Sequence, residues 1–155
     1  MRHWLFKSEP NTYAWSDLVR DGRTEWEGVR NYQARNLMRD EMAVGDLVLF
    51  YHSNAKPMSV AGVARIVRAA YPDHHAQDPT SPYHDPKATA EEPIWLMVDV
   101  APVAPIDPPV TRDELKAEAV LADMMVLRRG ARLSVQPVTP EEFATILALR
   151  NVELP

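Results

Sequence analysis

An α+β fold, built on a small twisted sheet that curls towards a barrel with short helices around it, is the architecture this sequence predicts. Two observations carry it. Apolar, strand-like runs are interspersed with amphipathic stretches, but without the regular strand–helix alternation that winds a parallel sheet. Capping signatures of the form Thr-x-x-Glu at Thr111 and Thr139 mark helix starts between and after those runs. With 155 residues, no internal repeat and no linker, one domain over residues 1–155 is expected.

The elements follow in chain order. Residues 2–6 read as a first strand, ended by Pro10. Asn11 or Thr12 caps a short helix running to Val19, and Gly22 stops it. From Tyr32 to Met42, Ala34, Leu37, Met38 and Met42 recur at helical spacing. The turn Ala43-Val44-Gly45-Asp46 then launches Leu47–Tyr51, whose unbroken apolar run reads as a strand buried on both faces. Val60–Val67 is a further strand after a turn at Asn54–Pro57, with Gly62 marking a bulge. Ile94–Val103 is another. Between these two, 71–93 is rich in Pro, Asp and His and has no periodicity, so it reads as a long loop. Thr111 opens a short helix, 119–129 is one helix or two turns, and Leu133–Val138 is a last strand, read as central. Thr139, with Pro140 at the first helical position, opens an amphipathic helix through Phe143, Ile146 and Leu147.

Composition narrows the function classes. A net charge of −5 argues against tight, sequence-blind binding to duplex nucleic acid. The charge is uneven: residues 71–125 hold 11 acids and 3 bases, which leaves the remainder with 11 acids and 14 bases. Of the 17 basic residues 13 are Arg, the side chain suited to forked contacts with phosphate. No run is long enough to cross a bilayer, and no basic-then-apolar signal pattern opens the chain. With no cysteine, disulfides, thiolate zinc sites and cysteine nucleophiles are excluded, and a cytoplasmic setting is expected.

Polar islands at the ends of apolar runs supply the candidate site, because a strand that ends in adjacent donors and acceptors meets solvent or a ligand there. They are Lys7-Ser8-Glu9-Pro10, Tyr51-His52-Ser53-Asn54 and Ser134-Val135-Gln136-Pro137. The stretch from Trp26 to Arg35 adds Arg30, Asn31, Tyr32 and Arg35. Amides read base edges and aromatic rings stack on bases; Asn31 also suits the cap of the helix that follows. Ser53 lacks the Gly-x-Ser-x-Gly elbow of a hydrolase nucleophile. Asp73, His74, His75, Asp78, His84 and Asp85 match no established metal-ligand spacing, so no metal is assigned. No phosphate loop or dinucleotide fingerprint is present, and no cofactor is expected.

Five stretches then align with one known family. Trp4-Leu5-Phe6-Lys7-Ser8-Glu9-Pro10, Trp26 to Arg35, Gly45 to Ser53, Tyr83-His84-Asp85-Pro86-Lys87 and Arg132 to Val138 closely resemble the EVE domain of the PUA-like superfamily. The resemblance spans the chain and implies a PUA-like curled mixed sheet, a pseudo-barrel, with a cleft lined by these motifs. It further implies a reader of modified bases, chiefly a modified cytosine in DNA, with RNA as an alternative partner; the lack of a spanning run separately predicts no membrane partner. Carried over residue by residue, Lys7, Ser8, Trp26, Asn31, Tyr32, Tyr51, His52, Ser53, Ser134 and Gln136 would line the pocket. Arg30 and Arg35 would sit at its rim. The rival reading is a small amidohydrolase of the related ASCH type acting on a modified nucleoside, with Lys7 and Glu9 as its acid–base pair.

Overall fold

The computed structural model describes residues 1–155 as six strands, four α-helices and three short 3-10 turns. The strands are β1 (His3–Ser8), β2 (Thr24–Glu25), β3 (Leu47–His52), β4 (Ser59–Pro72), β5 (Leu96–Thr111) and β6 (Val135–Val138). They form one sheet in the order β2-β5-β4-β3-β1-β6. Only β1 and β3 pair in parallel, from His3 opposite Leu47 to Ser8 opposite His52, and every other pair is antiparallel. The sheet is therefore mixed, and it does not close: β2 and β6 are its edges. β6, read from sequence as central, lies at an edge because only β1 pairs with it.

Alternation along the strands builds two separate cores. Trp4 and Phe6 of β1 face Val48, Phe50, Trp26 and Met38, while Leu5 faces Leu49, Val63, Phe143 and Ile146. β3 is buried on both faces, as its apolar run predicted. The first core is covered by α1 (Trp15–Asp21) and α2 (Tyr32–Asp40). The second is covered by α3 (Arg112–Ala117), α4 (Pro140–Ala148) and the 3-10 turns Ala119–Leu121 and Met125–Leu127. No helix is long and apolar enough to cross a membrane.

Local chemistry sets the element ends. Asp46 fixes the turn before β3, its carboxylate accepting at 3.0 Å from the Trp4 indole and from the amides of Arg2 and Ala43. Thr111 and Thr139 each complete a capping box with Glu114 and Glu142. α1 begins at Trp15 rather than at Asn11 or Thr12, because the amides of Thr12 and Tyr13 turn back to Glu9 O and Asp17 caps the Ala14 amide. Gly22, at φ +71, ends it as expected.

β5 runs eight residues past the predicted Val103, to Thr111, despite its prolines. The register with β4 slips between Val60 and Gly62 and between Val63 and Ala64, opposite the segment that carries Pro102 and Pro105. At such irregularities a missing N–H breaks no ladder bond.

The stretch between β4 and β5 is an ordered wall with its own small core. Ala76, Ala88 and Trp95 bury one another there, and the Trp95 indole donates to Asp85 Oδ2 at 2.8 Å.

Candidate nucleic-acid interface

A cleft of about 430 Å³ opens at the end of β1. Lys7, Ser8 and Glu9 form one side, Thr12 and Tyr13 of the following turn another, and Thr24 to Val29 the wall opposite. Tyr83, from the segment between β4 and β5, and Ser134, just before β6, complete it. The volume is that of a small-molecule or single-base site.

Each wall has a physical reason for its position. Trp26 is 8% exposed, with its ring packed on Phe6 at 5.2 Å and edge-on to Phe50 at 5.5 Å. It is a rigid wall anchored in the first core, with only a narrow strip open. Ser8 Oγ donates to Tyr13 O at 2.6 Å and so holds the turn that carries Thr12. The Lys7 amine donates to Ala131 O at 3.4 Å. Burial, and then the positive charge of Arg112, push that amine below the usual lysine range. Three glutamates, Glu9, Glu25 and Glu27, line the cleft with one lysine, so its lining is rich in acceptors.

Tyr83 is held in place by a buried ion pair. Asp73 is fully buried and accepts from Arg30 Nη1 at 3.0 Å, from the Gly28 amide at 3.1 Å and from the His75 amide at 2.9 Å. The same guanidinium donates twice to Tyr83 O, at 3.1 and 2.7 Å.

Of the twelve site residues expected from sequence, Lys7, Ser8, Trp26 and Ser134 line this cleft. The other eight lie elsewhere, each for a visible reason. Asn31 caps α2, its side chain accepting from the Ala34 amide at 3.0 Å. Tyr32 is 58% exposed and stacks on Trp95 at 4.8 Å. Arg30 and Arg35 are not free rim cations: Arg30 clamps Asp73 and Tyr83, and Arg35 donates to Ile94 O at 3.0 Å. Tyr51 is buried in the second core. His52 Nε2 accepts from the Trp15 amide at 3.0 Å, and burial lowers its pKa. The Ser53 amide donates to Ser8 O, and Gln136 is buried with its amide on Leu133 O. Strand-end position alone could not tell cleft residues from braces.

Thr12, Tyr13, Thr24, Glu25, Glu27, Gly28, Val29 and Tyr83 also line the cleft, beyond the residues expected from sequence. The flanks of Trp26 were the available signal: Gly28, two residues on, leaves the room that the Tyr83 ring fills.

The family model described as "EVE domain" matches residues 2–149. Human thymocyte nuclear protein 1 is 40% identical over 97% of this chain and 75% of its own length. A crystal structure of the human protein, in complex with DNA containing 5-methylcytosine, superposes with a TM-score of 0.90 at 39% identity, covering 99% of each chain. A hypothetical protein from Leishmania major superposes with a TM-score of 0.92 at 50% identity, covering 97% of this chain and 95% of its own. An ASCH protein from Zymomonas mobilis, at 10% identity and a TM-score of 0.51 over 96% of this chain and 99% of its own, shares the fold alone. The matched span, the identity to the human protein and the superpositions agree: this chain belongs to the EVE domain family.

Proposed function

We propose that this protein is a non-catalytic reader of a modified cytosine in DNA. The observation that carries the reading is the acceptor-rich cleft walled by Trp26, and the human relative's complex with 5-methylcytosine DNA supports it. A base recognised by its modification must leave the stack and enter a snug pocket. Carboxylates suit cytosine, whose exocyclic amine they accept from. Lys7, Ser8, Trp26 and Ser134, joined by Glu27 and Tyr83, form the proposed contact set. DNA is preferred over RNA as the partner, and a cytoplasmic setting, which demands no disulfides, belongs to the same reading.

Because Arg30 is neutralised by Asp73 and both Arg30 and Arg35 are held by internal carbonyls, few phosphate contacts are expected from them. The slope of log K against log salt is expected to be shallow, about −2 or less in magnitude. The test is titration of matched oligonucleotides carrying cytosine, 5-methylcytosine, 5-hydroxymethylcytosine or N6-methyladenine, as DNA and as RNA, at physiological salt. Preference for one modified cytosine in DNA is the expected result. Equal affinity across the set refutes the reading.

One observation favours the amidohydrolase as second reading: the Lys7 amine, beside Glu9 at the cleft, has a lowered pKa. Release of product from an acylated nucleoside, lost in Lys7→Ala, would replace the reader with the enzyme.

A further inference from the structure

At the edge of the cleft, the carboxylate of Glu25 meets two histidine side chains. Glu25 belongs to β2, and His74 and His75 open the 3-10 turn His74–Gln77. The buried Asp73 fixes that turn by accepting from the His75 amide. Glu25 Oε2 lies 2.9 Å from His74 Nε2, and Glu25 Oε1 lies 3.6 Å from His75 Nε2. The imidazole rings pack on each other at 4.2 Å and 35°, and the three ligand atoms all lie within 4.8 Å of one another.

Two details distinguish this cluster from a plain ion pair. His75 Nε2 is buried and has no hydrogen-bond partner, a state that costs free energy. The Tyr71 hydroxyl, whose one proton has a closer acceptor in Asp99, stands 3.2 Å from Glu25 Oε2 and limits where that carboxylate can sit. Two imidazole nitrogens and one carboxylate oxygen are the donor set of zinc sites that keep a fourth position open. Bonds of about 2.1 Å at tetrahedral angles set ligand atoms about 3.4 Å apart. The 2.9 and 3.6 Å distances run to different oxygens of Glu25, and one ligand atom from each residue fits within 4.8 Å, so a modest side-chain adjustment brings all three to that spacing.

We propose that Glu25, His74 and His75 form a binding site for a zinc-class divalent cation at the edge of the cleft, sharing Glu25 with its lining. Adjacent histidines on a 3-10 turn follow no ligand spacing readable in sequence, and Glu25 reaches them only through the pairing of β2 with β5. A bound cation gives His75 Nε2 its partner and ties β2 to the turn, stiffening one wall of the cleft.

The test is calorimetric titration of the untagged full chain with Zn²⁺, with Co²⁺ as a spectroscopic stand-in. One Zn²⁺ per chain is expected, along with visible Co²⁺ bands of low-coordinate nitrogen–oxygen ligation and a rise in Tm with Zn²⁺. His74→Ala and His75→Ala should each weaken Zn²⁺ binding about tenfold or more. His74 is exposed, its side chain at 61%, so its removal leaves the fold intact and keeps the test decisive even where His75→Ala does not fold. Absence of saturable binding overturns the proposal. So does Zn²⁺ affinity unchanged in folded His74→Ala, which places the ion on other groups.

Discussion

The Tyr83 ring lies directly over Gly28: a Cβ built on Gly28 would stand 2.7 Å from Tyr83 Cε1, and Gly28 holds φ at +83. Two distant parts of the chain meet there and close the cleft. Only a residue without a side chain satisfies both the backbone and the ring.

Gly28→Ala should therefore cost about 1–2 kcal/mol of stability, from the positive φ and from displacement of the ring. Affinity for the modified oligonucleotide should drop with it. Urea midpoints and oligonucleotide titrations check this. Parent-like values for both would mean that Tyr83 does not seat on Gly28.

Asp73→Ala should destabilise the fold by about 3 kcal/mol or more, because it leaves the largely buried Arg30 without its carboxylate. Arg30→Lys should fail to substitute for arginine, since one amine cannot serve both Asp73 and Tyr83 O. Chemical denaturation, together with proteolysis between residues 73 and 95, reads the outcome.

Acid should weaken the protein through His52. Burial lowers its pKa from 6.5, and Nε2 must stay unprotonated to accept from the Trp15 amide. A depressed histidine contributes stability that is present above the unfolded pKa and lost as pH falls through the folded one. The loss should begin below about pH 6.5. Denaturation midpoints measured from pH 8 to pH 5 should fall less steeply in His52→Gln than in the parent; identical slopes would contradict the assignment.

Trp26→Ala should cost about 3–5 kcal/mol of folding free energy, because the ring is core to Phe6 and Phe50. Trp26→Phe is the informative change. It should keep the fold and lose part of a base–aromatic stack, less than the about 1–3 kcal/mol of removing the whole ring. Fluorescence anisotropy with 5-methylcytosine DNA measures it.

Strongly patterned elements were legible in the sequence. The apolar run 47–51 is β3, both Thr-x-x-Glu boxes cap helices, and Gly22 ends α1. Elements whose identity depends on partners were not. β2 has two residues and exists only by pairing with Asp99 and Val100. β5 tolerates Pro102 and Pro105 because its register with β4 slips beside them. The site divides the same way. Lys7 and Ser134 were findable at strand ends, whereas the carbonyl acceptors that hold Arg30 and Arg35 come from distant segments and leave no mark in the local sequence. The aperiodic stretch 71–93 concealed Tyr83 because its order comes from one buried aspartate and one tryptophan, not from a repeating pattern.

That stretch has its own small core of Ala76, Ala88 and Trp95, separate from the two cores that hold the sheet. Substitutions on its outer surface, and changes to the ring it presents to the cleft, leave the packing of β1, β3 and β4 untouched. The Tyr83 side of the cleft is thereby held by packing of its own, whereas the Trp26 side shares the packing of the sheet. Substitutions that reshape the Tyr83 side can therefore vary between lineages while the sheet that carries Trp26 stays as it is.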